Sequence, residues 1–554
     1  MYALGLDYGS LSCRGVLVDT RNGDLIAQAE MAYPHGILDH CLPDGTALKG
    51  SWCLQHPDDY LTVLDHILPQ LLGTPGVSPE QVVGIGVDFT ASTVIPLDAQ
   101  FRPLCKSYPT RPHAWPKLWK HHGATAQAEA LTALCKERYP QYLDRYGGRI
   151  SPECLIAKVI QVFQEDREIF DRANSFIEAM DYVTGLLCGE AVFSASTAVA
   201  KGFYHPESGY PKPDFFESIH PELGDLPLRK LIGRYETGRI AFPGEKIGQL
   251  CPEMAQRLGL RPGISISAPQ MDAYAAMPGL GLVEPGTMLM VVGTSTGMIL
   301  LSDTYRMVEG VTACLENTCY PGLWSYGSGQ ASVGDAFGWF VKNCVPESYS
   351  QAAREHGISI HQYLTQLAEA MAPGESGLLA LDWLGGNRSC LGNMNLSGML
   401  LGLTLQTRPE QIYRALLEAT AFGARIILEA YRDAGVPVKE IRVCGGIPNK
   451  NPLLMQIYAD VLGVPLQVSA CTQAPALGAA IYAAAAARDV TGYDSVFEAV
   501  AAMGDGRCQV YQPNPQHKEI YEALYQEYRT LHDYFGRGTN SVMERLRHFE
   551  SLGR

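Results

Sequence analysis

The chain has 554 residues, 46% of them hydrophobic and 18% charged, a globular composition too long for one ordinary core, which predicts two large domains. A net charge of -15 disfavours nucleic acid or an anionic membrane as the main partner, because both call for a basic surface. Fifteen cysteines without a C-x-x-C or a Cys/His set at zinc spacing read as reduced core thiols, neither a disulfide framework nor a metal site.

The first residues meet a carboxylate at Asp7 without a basic leader, and no apolar run approaches bilayer length, so a soluble, cytoplasmic protein is expected. Ala3-Leu-Gly-Leu-Asp7 reads as a strand, Tyr8-Gly-Ser-Leu-Ser12 as a turn and Arg14-Gly-Val-Leu-Val-Asp19 as a second strand. Arg21-Asn-Gly-Asp24 is a hairpin turn needing positive φ, ahead of Leu25-Ile-Ala27. Helical periodicity follows at 57–72 and 153–163, with strand-like Val83-Gly-Ile-Gly-Val87 between them. Gly and Pro concentrate at 278–285, the expected domain boundary. Beyond it, Thr287-Met-Leu-Met-Val-Val292, Gly293-Thr-Ser-Thr-Gly297 and Met298-Ile-Leu-Leu301 repeat the opening hairpin, which suggests a duplicated α/β domain. A long helix over 409–434, strand Ile441-Arg-Val-Cys444, a Gly445-Gly446 turn and a helix over 452–462 come next. Strand Leu466-Gln-Val468, an alanine-rich helix from Ala476 and a tail helix around 518–534 complete the second half.

Phosphoryl transfer requires amide-rich turns, a metal-holding carboxylate and a base. Asp7 stands at a strand end where it can reach Mg²⁺ through water, and Gly9, Ser10 and Ser12 place small residues in the turn behind it. On its own this is also the pattern of an ordinary hairpin. Gly293-Thr-Ser-Thr-Gly297 matches the G-x-S-x-G of a hydrolase elbow, but that reading needs a helix right after Ser295, and 298–301 is another apolar strand. Neither a P-loop nor a Rossmann fingerprint is present.

These two hairpins, with Cys444-Gly-Gly-Ile-Pro-Asn449 and Ala474-Pro-Ala-Leu-Gly-Ala479, resemble the FGGY family of carbohydrate kinases, four motifs in order over most of the chain. Gly86-Val-Asp88-Phe-Thr90, Leu118-Trp-Lys-His-His122 and Leu381-Asp-Trp-Leu-Gly-Gly-Asn387 are similar to its ribulokinase branch, not to glycerol or xylulose kinases. The resemblance implies two actin-like (ribonuclease H-like) ATPase domains with an interdomain cleft. Residues 1–280 would be the sugar-binding domain, and 281–554 a nucleotide-binding domain with a helical tail. It implies ATP and Mg²⁺ as cofactors and L-ribulose, phosphorylated at the 5-hydroxyl in arabinose catabolism, as the sugar. No nucleic acid or membrane partner is implied, and a homodimer is left open. Asp272 would be the general base and, with Asp7, a metal ligand, while Ala91, Trp119 and Lys201 would line the sugar pocket. Gly293, Thr294 and Ser295 would hold phosphates, and Gly445, Gly446 and Asn449 adenosine, with Gly478 against the base from the other side. A plain helix cap is the alternative for Asp272, and helix packing for Gly478. His121 and His122, read as neighbours on a helix, are taken as pocket rim.

Gly327 stands where the resemblance expects a glutamate, and Tyr274 where a histidine often follows the base. Both departures fall on the sugar side, so another ketopentose or polyol (D-ribulose, D-xylulose, ribitol) stays open. So does a non-catalytic ATP-binding sensor on the same fold.

Overall fold

The computed structural model describes residues 1–231 and 239–552. It divides into two compact units. One comprises Met1–Val283, Leu315–Ser325 and Gln473–Gly506, and the other Glu284–Cys314, Tyr326–Thr472 and the chain from Arg507 onward. The first crossing falls at Val283, inside the expected 278–285. The expected division into 1–280 and 281–554 nevertheless fails to follow the chain, because residues 315–325 and 473–506 fold with the first unit.

The first unit is built on a seven-stranded sheet of β1 (Tyr2–Tyr8), β2 (Ser12–Asp19), β3 (Leu25–Ala32), β4 (Val82–Phe89), β5 (Lys246–Gln249), β6 (Ser265–Ser267) and β7 (Gln270–Met271). Its order is β5-β6-β4-β1-β2-β3, with β7 also paired to β4. The β1–β2 and β2–β3 pairs are antiparallel, and β4 runs parallel to β1. The second unit repeats this core with β8 (Thr287–Val292), β9 (Thr296–Ser302), β10 (Ala313–Glu316), β11 (Trp324–Gln330), β12 (Glu440–Cys444), β13 (Leu466–Ser469) and β14 (Cys508–Tyr511). Its order is β10-β11-β9-β8-β12-β13-β14. Again an antiparallel hairpin, β8–β9, has a parallel neighbour, β12. The duplication read from the sequence is thus a duplication of topology.

The helices used below are α1 (Asp59–Leu72), α2 (Leu155–Glu165), α3 (Ala195–Lys201), α4 (Asp272–Gly279), α5 (Gly334–Cys344), α6 (Pro409–Asp433), α7 (Pro452–Leu462), α8 (Ala474–Ala486) and α9 (Lys518–Gly536). In α1 the apolar side chains Val63, Leu64, Ile67, Leu68 and Leu71 recur at helical spacing and are buried. Among the described residues no helix is long and apolar enough to cross a membrane.

Helix α8 explains why 473–506 leave their neighbours in sequence. Nearly every residue in it is buried and most are alanine, so it lies flush only on a surface without side chains. The first sheet supplies that surface: a Cβ on Gly5 would sit 1.9 Å from the Ala476 carbonyl oxygen, and one on Gly86 2.0 Å from that of Ala479. A Cβ on Gly478 would lie 1.7 Å from the carbonyl oxygen of Ala275 in α4. Gly478 is therefore a helix-packing residue of the first unit, which corrects its expected place beside adenine. Gly478→Ala is expected to destabilise the protein by about 1–3 kcal/mol through overpacking, seen as an earlier unfolding midpoint in urea. Gly446→Ala, with no atom within 4 Å of the added carbon, leaves that midpoint unchanged.

Candidate active site

Strand register assembles a polar row across the first sheet. Glu30 pairs with Arg14, Arg14 with Asp7, Asp7 with Asp88, and Asp88 with Gln270, on successive strands β3, β2, β1, β4 and β7. Partners on adjacent strands share a face at about 4.8 Å spacing, so carboxylates separated by 81 positions in sequence become neighbours. Asp272 opens α4 two residues after Gln270 and brings a third carboxylate to this row.

Among the described residues Arg14 is the cation that acts on Asp7 and Asp88. Arg14 Nη1 lies 3.4 Å from Asp7 Oδ2, and its Nε is 3.3 Å from Glu30. Burial raises the Asp7 carboxyl's proton affinity, and Arg14 opposes that only in part. Asp88 is wholly buried, and neither of its oxygens receives a hydrogen bond from a described donor. Burial, then the charges of Asp7 and Asp272, push it well above the usual carboxylate range. The Asp272 carboxyl is pushed up to about 7, by burial first and by Asp7 second. The Ala273 amide donates to its Oδ1 at 2.7 Å. Asp272 is the first residue of its helix, the cap position being Met271, so the cap alternative does not hold, and its Oδ2 is left for other chemistry. Among the described residues the three carboxylates do not bring an oxygen each within direct-ligand spacing of one ion, so a divalent cation such as Mg²⁺ would be held by part of the row, with water between it and the rest.

Around the row stand the other residues singled out in the sequence. Gly9, Ser10 and Ser12 form the β1–β2 turn. The Ser12 hydroxyl donates to Glu30 Oε1 at 2.8 Å, so its proton is already engaged, whereas the Ser10 hydroxyl accepts from the Trp119 indole N–H at 2.9 Å. Lys201, at the end of α3, lies 3.3 Å from Glu153 Oε2. Burial would lower its proton affinity, but Glu153 outweighs that and holds it up. Ala91 is half-buried beside Ser92, a non-glycine residue at φ +66°. Lys158 of α2 braces both the Ala91 and the Trp119 segments, donating to the carbonyls of Ser92 at 2.5 Å, Leu118 at 3.0 Å and Lys117 at 3.3 Å. Buried Glu178 beside it is raised by desolvation, as Lys158 is lowered.

In the second unit Val292 pairs with Thr296, and a strand, not a helix, follows Ser295, which removes the hydrolase elbow. The turn of Gly293, Thr294 and Ser295 is anchored from α5: the amides of Val333 and Asp335 donate to the Thr294 carbonyl at 2.8 and 3.1 Å, and that of Gly334 to the Gly293 carbonyl at 3.0 Å. Gly445 (φ +113°) passes so close to β8 that a Cβ would lie 2.3 Å from the Val292 carbonyl oxygen. Gly446 is exposed backbone with open space about it. Asn449 Nδ2 donates to the Ser469 carbonyl at 3.1 Å, which ties the Gly445-Gly446 segment to β13.

Two expectations change. Residues 118–122 form a turn instead of a helix, and His121 is buried, with Nε2 3.0 Å from Gln161 Oε1 and an edge contact to Trp52, so it is core and not rim. Trp383 is likewise core, and its neighbour Asp382 accepts from Gln330 and Tyr528, fastening β11 to α9. The sequence reading missed Asp88, Arg14 and Lys158. Among the described residues His35, His56 and Asp59 approach metal-ligand spacing. However, the two rings stack at 3.9 Å and 12°, and His35 Nδ1 bonds Asp59 at 2.7 Å. Their lone pairs run in parallel planes and do not converge, so this cluster is packing.

Comparison with known proteins agrees with this geometry. The model of the FGGY carbohydrate kinase N-terminal domain matches residues 2–279, and that of the C-terminal domain residues 288–487. The chain is 46% identical to a ribulokinase of Halalkalibacterium halodurans over 555 aligned residues, covering 100% of this chain and 98% of the relative. It is 41% identical to a ribulokinase of Mycolicibacterium smegmatis, over 99% and 96% of the two chains. Among solved structures, the xylulose kinase of Rhodospirillum rubrum superposes with a TM-score of 0.77 at 23% identity, covering 96% and 98%. Glycerol kinase of Plasmodium falciparum with ADP gives 0.75 at 15%, covering 96% and 97%. Both support the two-domain, actin-like kinase fold. The chain belongs to the FGGY family of carbohydrate kinases and is a phosphotransferase.

Proposed function

We propose that the protein transfers the γ-phosphoryl group of ATP to the 5-hydroxyl of L-ribulose, in the cytoplasm. The observation that carries this reading is the carboxylate row ending in Asp272, whose proton affinity is raised toward neutrality while it stands beside a glycine/serine turn. Identity of 46% over the whole chain to a protein named ribulokinase supports the sugar.

In this reading Asp272 orients the attacking hydroxyl and takes its proton late in a loose transition state, a task suited to a carboxyl whose pKa lies near working pH. Asp7 and Asp272, joined by Asp88, would hold Mg²⁺, which when bound offsets phosphate charge. Lys201 donates to sugar hydroxyls, and Trp119 and Ala91 give the carbon skeleton an apolar wall. The turn at Gly9 and Ser10 faces phosphates, with Ser12 contributing backbone only. Gly293, Thr294 and Ser295 hold the nucleotide's phosphate tail, while Gly445 and Gly446 admit its base to bare backbone and Asn449 braces that turn.

A second reading, a kinase for D-ribulose, D-xylulose or ribitol, is favoured by Gly327, whose carbonyl accepts from the Thr312 amide and hydroxyl, both at 2.8 Å, and which brings no side chain to the sugar. A substrate panel with coupled ADP detection separates the two. L-Ribulose is expected to give the highest kcat/KM by about tenfold or more. A higher value for D-xylulose or ribitol would replace the sugar assignment, and no turnover on any member would leave an ATP-binding sensor.

A further inference from the structure

We propose that Tyr33 and Gln55 are positioning residues for phosphoryl transfer, aiming the backbone amides of Ser10 and Leu11 at the nucleotide's phosphates; this rests on reading the β1–β2 turn as a phosphate turn. Three successive carbonyls of that turn are tied to the scaffold behind it. The Tyr33 hydroxyl donates to the Gly9 carbonyl at 3.0 Å, Gln55 Nε2 to the Ser10 carbonyl at 3.1 Å, and the Tyr33 amide to the Leu11 carbonyl at 2.8 Å.

A trans peptide fixes its C=O and the following N–H in opposite directions. Holding the carbonyls of Gly9 and Ser10 from one side therefore points the amides of Ser10 and Leu11 to the other. Neither amide meets an acceptor among the described residues. Consecutive amides aimed the same way make a concavity that takes an anion.

The two clamps are rigid. Tyr33 is 5% exposed and Gln55 1%. Gln55 Oε1 accepts from the Tyr60 hydroxyl at 2.9 Å, which fixes the amide's orientation, and the Tyr60 carbonyl accepts from Tyr8 at 2.9 Å. Burial pushes the Tyr33 hydroxyl well above its usual pKa, so it remains a donor.

The second unit performs the same operation with main-chain donors. There the carbonyls of Gly293 and Thr294 are held by amides at the start of α5, and the amides of Thr294 and Ser295 have no acceptor among the described residues. The two turns of the duplicated topology thus share this outcome, two consecutive amides left over, although one is tied back by side chains and the other by main-chain amides. Only the first uses side chains, so only there can the device be removed by substitution.

The test uses the full-length chain with Tyr33→Phe, which removes one hydroxyl, and Gln55→Glu, which keeps the acceptor for Tyr60 and removes the donor. Steady-state constants for ATP and sugar are measured, with calorimetric affinities for MgADP and adenosine and the unfolding midpoint. Each variant is expected to raise KM for ATP and weaken MgADP by roughly five- to thirtyfold, about the weight of one hydrogen bond. Adenosine affinity, sugar KM and the midpoint should stay within about twofold or a degree of wild type, which a merely structural role would not permit. Wild type preferring MgADP to adenosine, with variants keeping that preference in full, overturns the positioning role alone. Wild type without the preference overturns the phosphate-turn reading and this inference together. Because the two clamps act on different carbonyls, a variant that fails to fold leaves the test to the other.

Discussion

Asp272→Ala lowers kcat by about 10²–10⁴-fold, the range for removal of a positioned general base, while MgATP affinity changes little. The two halves of this result have separate causes. Asp272 is assigned the proton of the sugar hydroxyl. Its share in holding Mg²⁺ is lost with it, but Asp7, Asp88 and the phosphates still hold the ion, and the main-chain amides and glycines assigned to the nucleotide are not touched. Asp272→Asn keeps the volume and the Ala273 amide contact, so a comparable loss there isolates the carboxylate's charge from its size. The pH profile gives a second handle. A base acts only when deprotonated, so with the carboxyl pushed up to about 7, kcat/KM for the sugar declines as pH falls below neutrality. Bound Mg²⁺, a positive neighbour, moves that limb to lower pH. Coupled ADP assays across pH and calorimetry with MgATP check both halves. Turnover of the alanine variant within tenfold of wild type would remove Asp272 from the role of base.

Local chemistry was legible in the sequence wherever one segment carried it. The opening hairpin, the strand over Thr287–Val292 and the helix over Pro452–Leu462 follow from periodicity and turn residues, and the structure returns them with little change at their ends. What could not be read was which distant segments pair. Gly86-Val-Asp88 repeats Gly5-Leu-Asp7, a visible signal, yet only the parallel register of β1 and β4 turns that likeness into adjacent carboxylates. Helix α8 shows the same limit in reverse: its motif was recognised, but its unit depends on glycines more than 380 positions away that accept its close approach. His121 was ambiguous because a side chain at a pocket rim and one in a core look alike until burial is known. Lys158 was invisible, since a lysine in an apolar helix gives no hint that it will hold three carbonyls.

Asp88→Asn is expected to make the metal-free protein more stable at pH 8 and a poorer catalyst. A buried carboxylate with no donor on either oxygen sits beside two others, and replacing it with a neutral isostere removes an unsatisfied charge whose cost is about 1–3 kcal/mol. The sign of the pH dependence follows from proton binding. Because the folded-state affinity of Asp88 for a proton is raised by burial and by Asp7 and Asp272, the folded protein binds more protons than the unfolded chain above the ordinary carboxylate range. Stability is therefore lost as pH rises through that window. Asparagine contributes no such term, so the variant's advantage grows from near zero below about pH 4, where both states are protonated, until pH passes the raised folded-state pKa of Asp88. A divalent cation bound by the row offsets the same charge, so Mg²⁺ stabilises wild type more than the variant and narrows the gap. Thermal unfolding in EDTA and in Mg²⁺, across pH 4 to 8, tests each step. A variant less stable than wild type in EDTA at pH 8 would mean that Asp88 is compensated in the folded protein, and the three-carboxylate metal site would lose its physical basis.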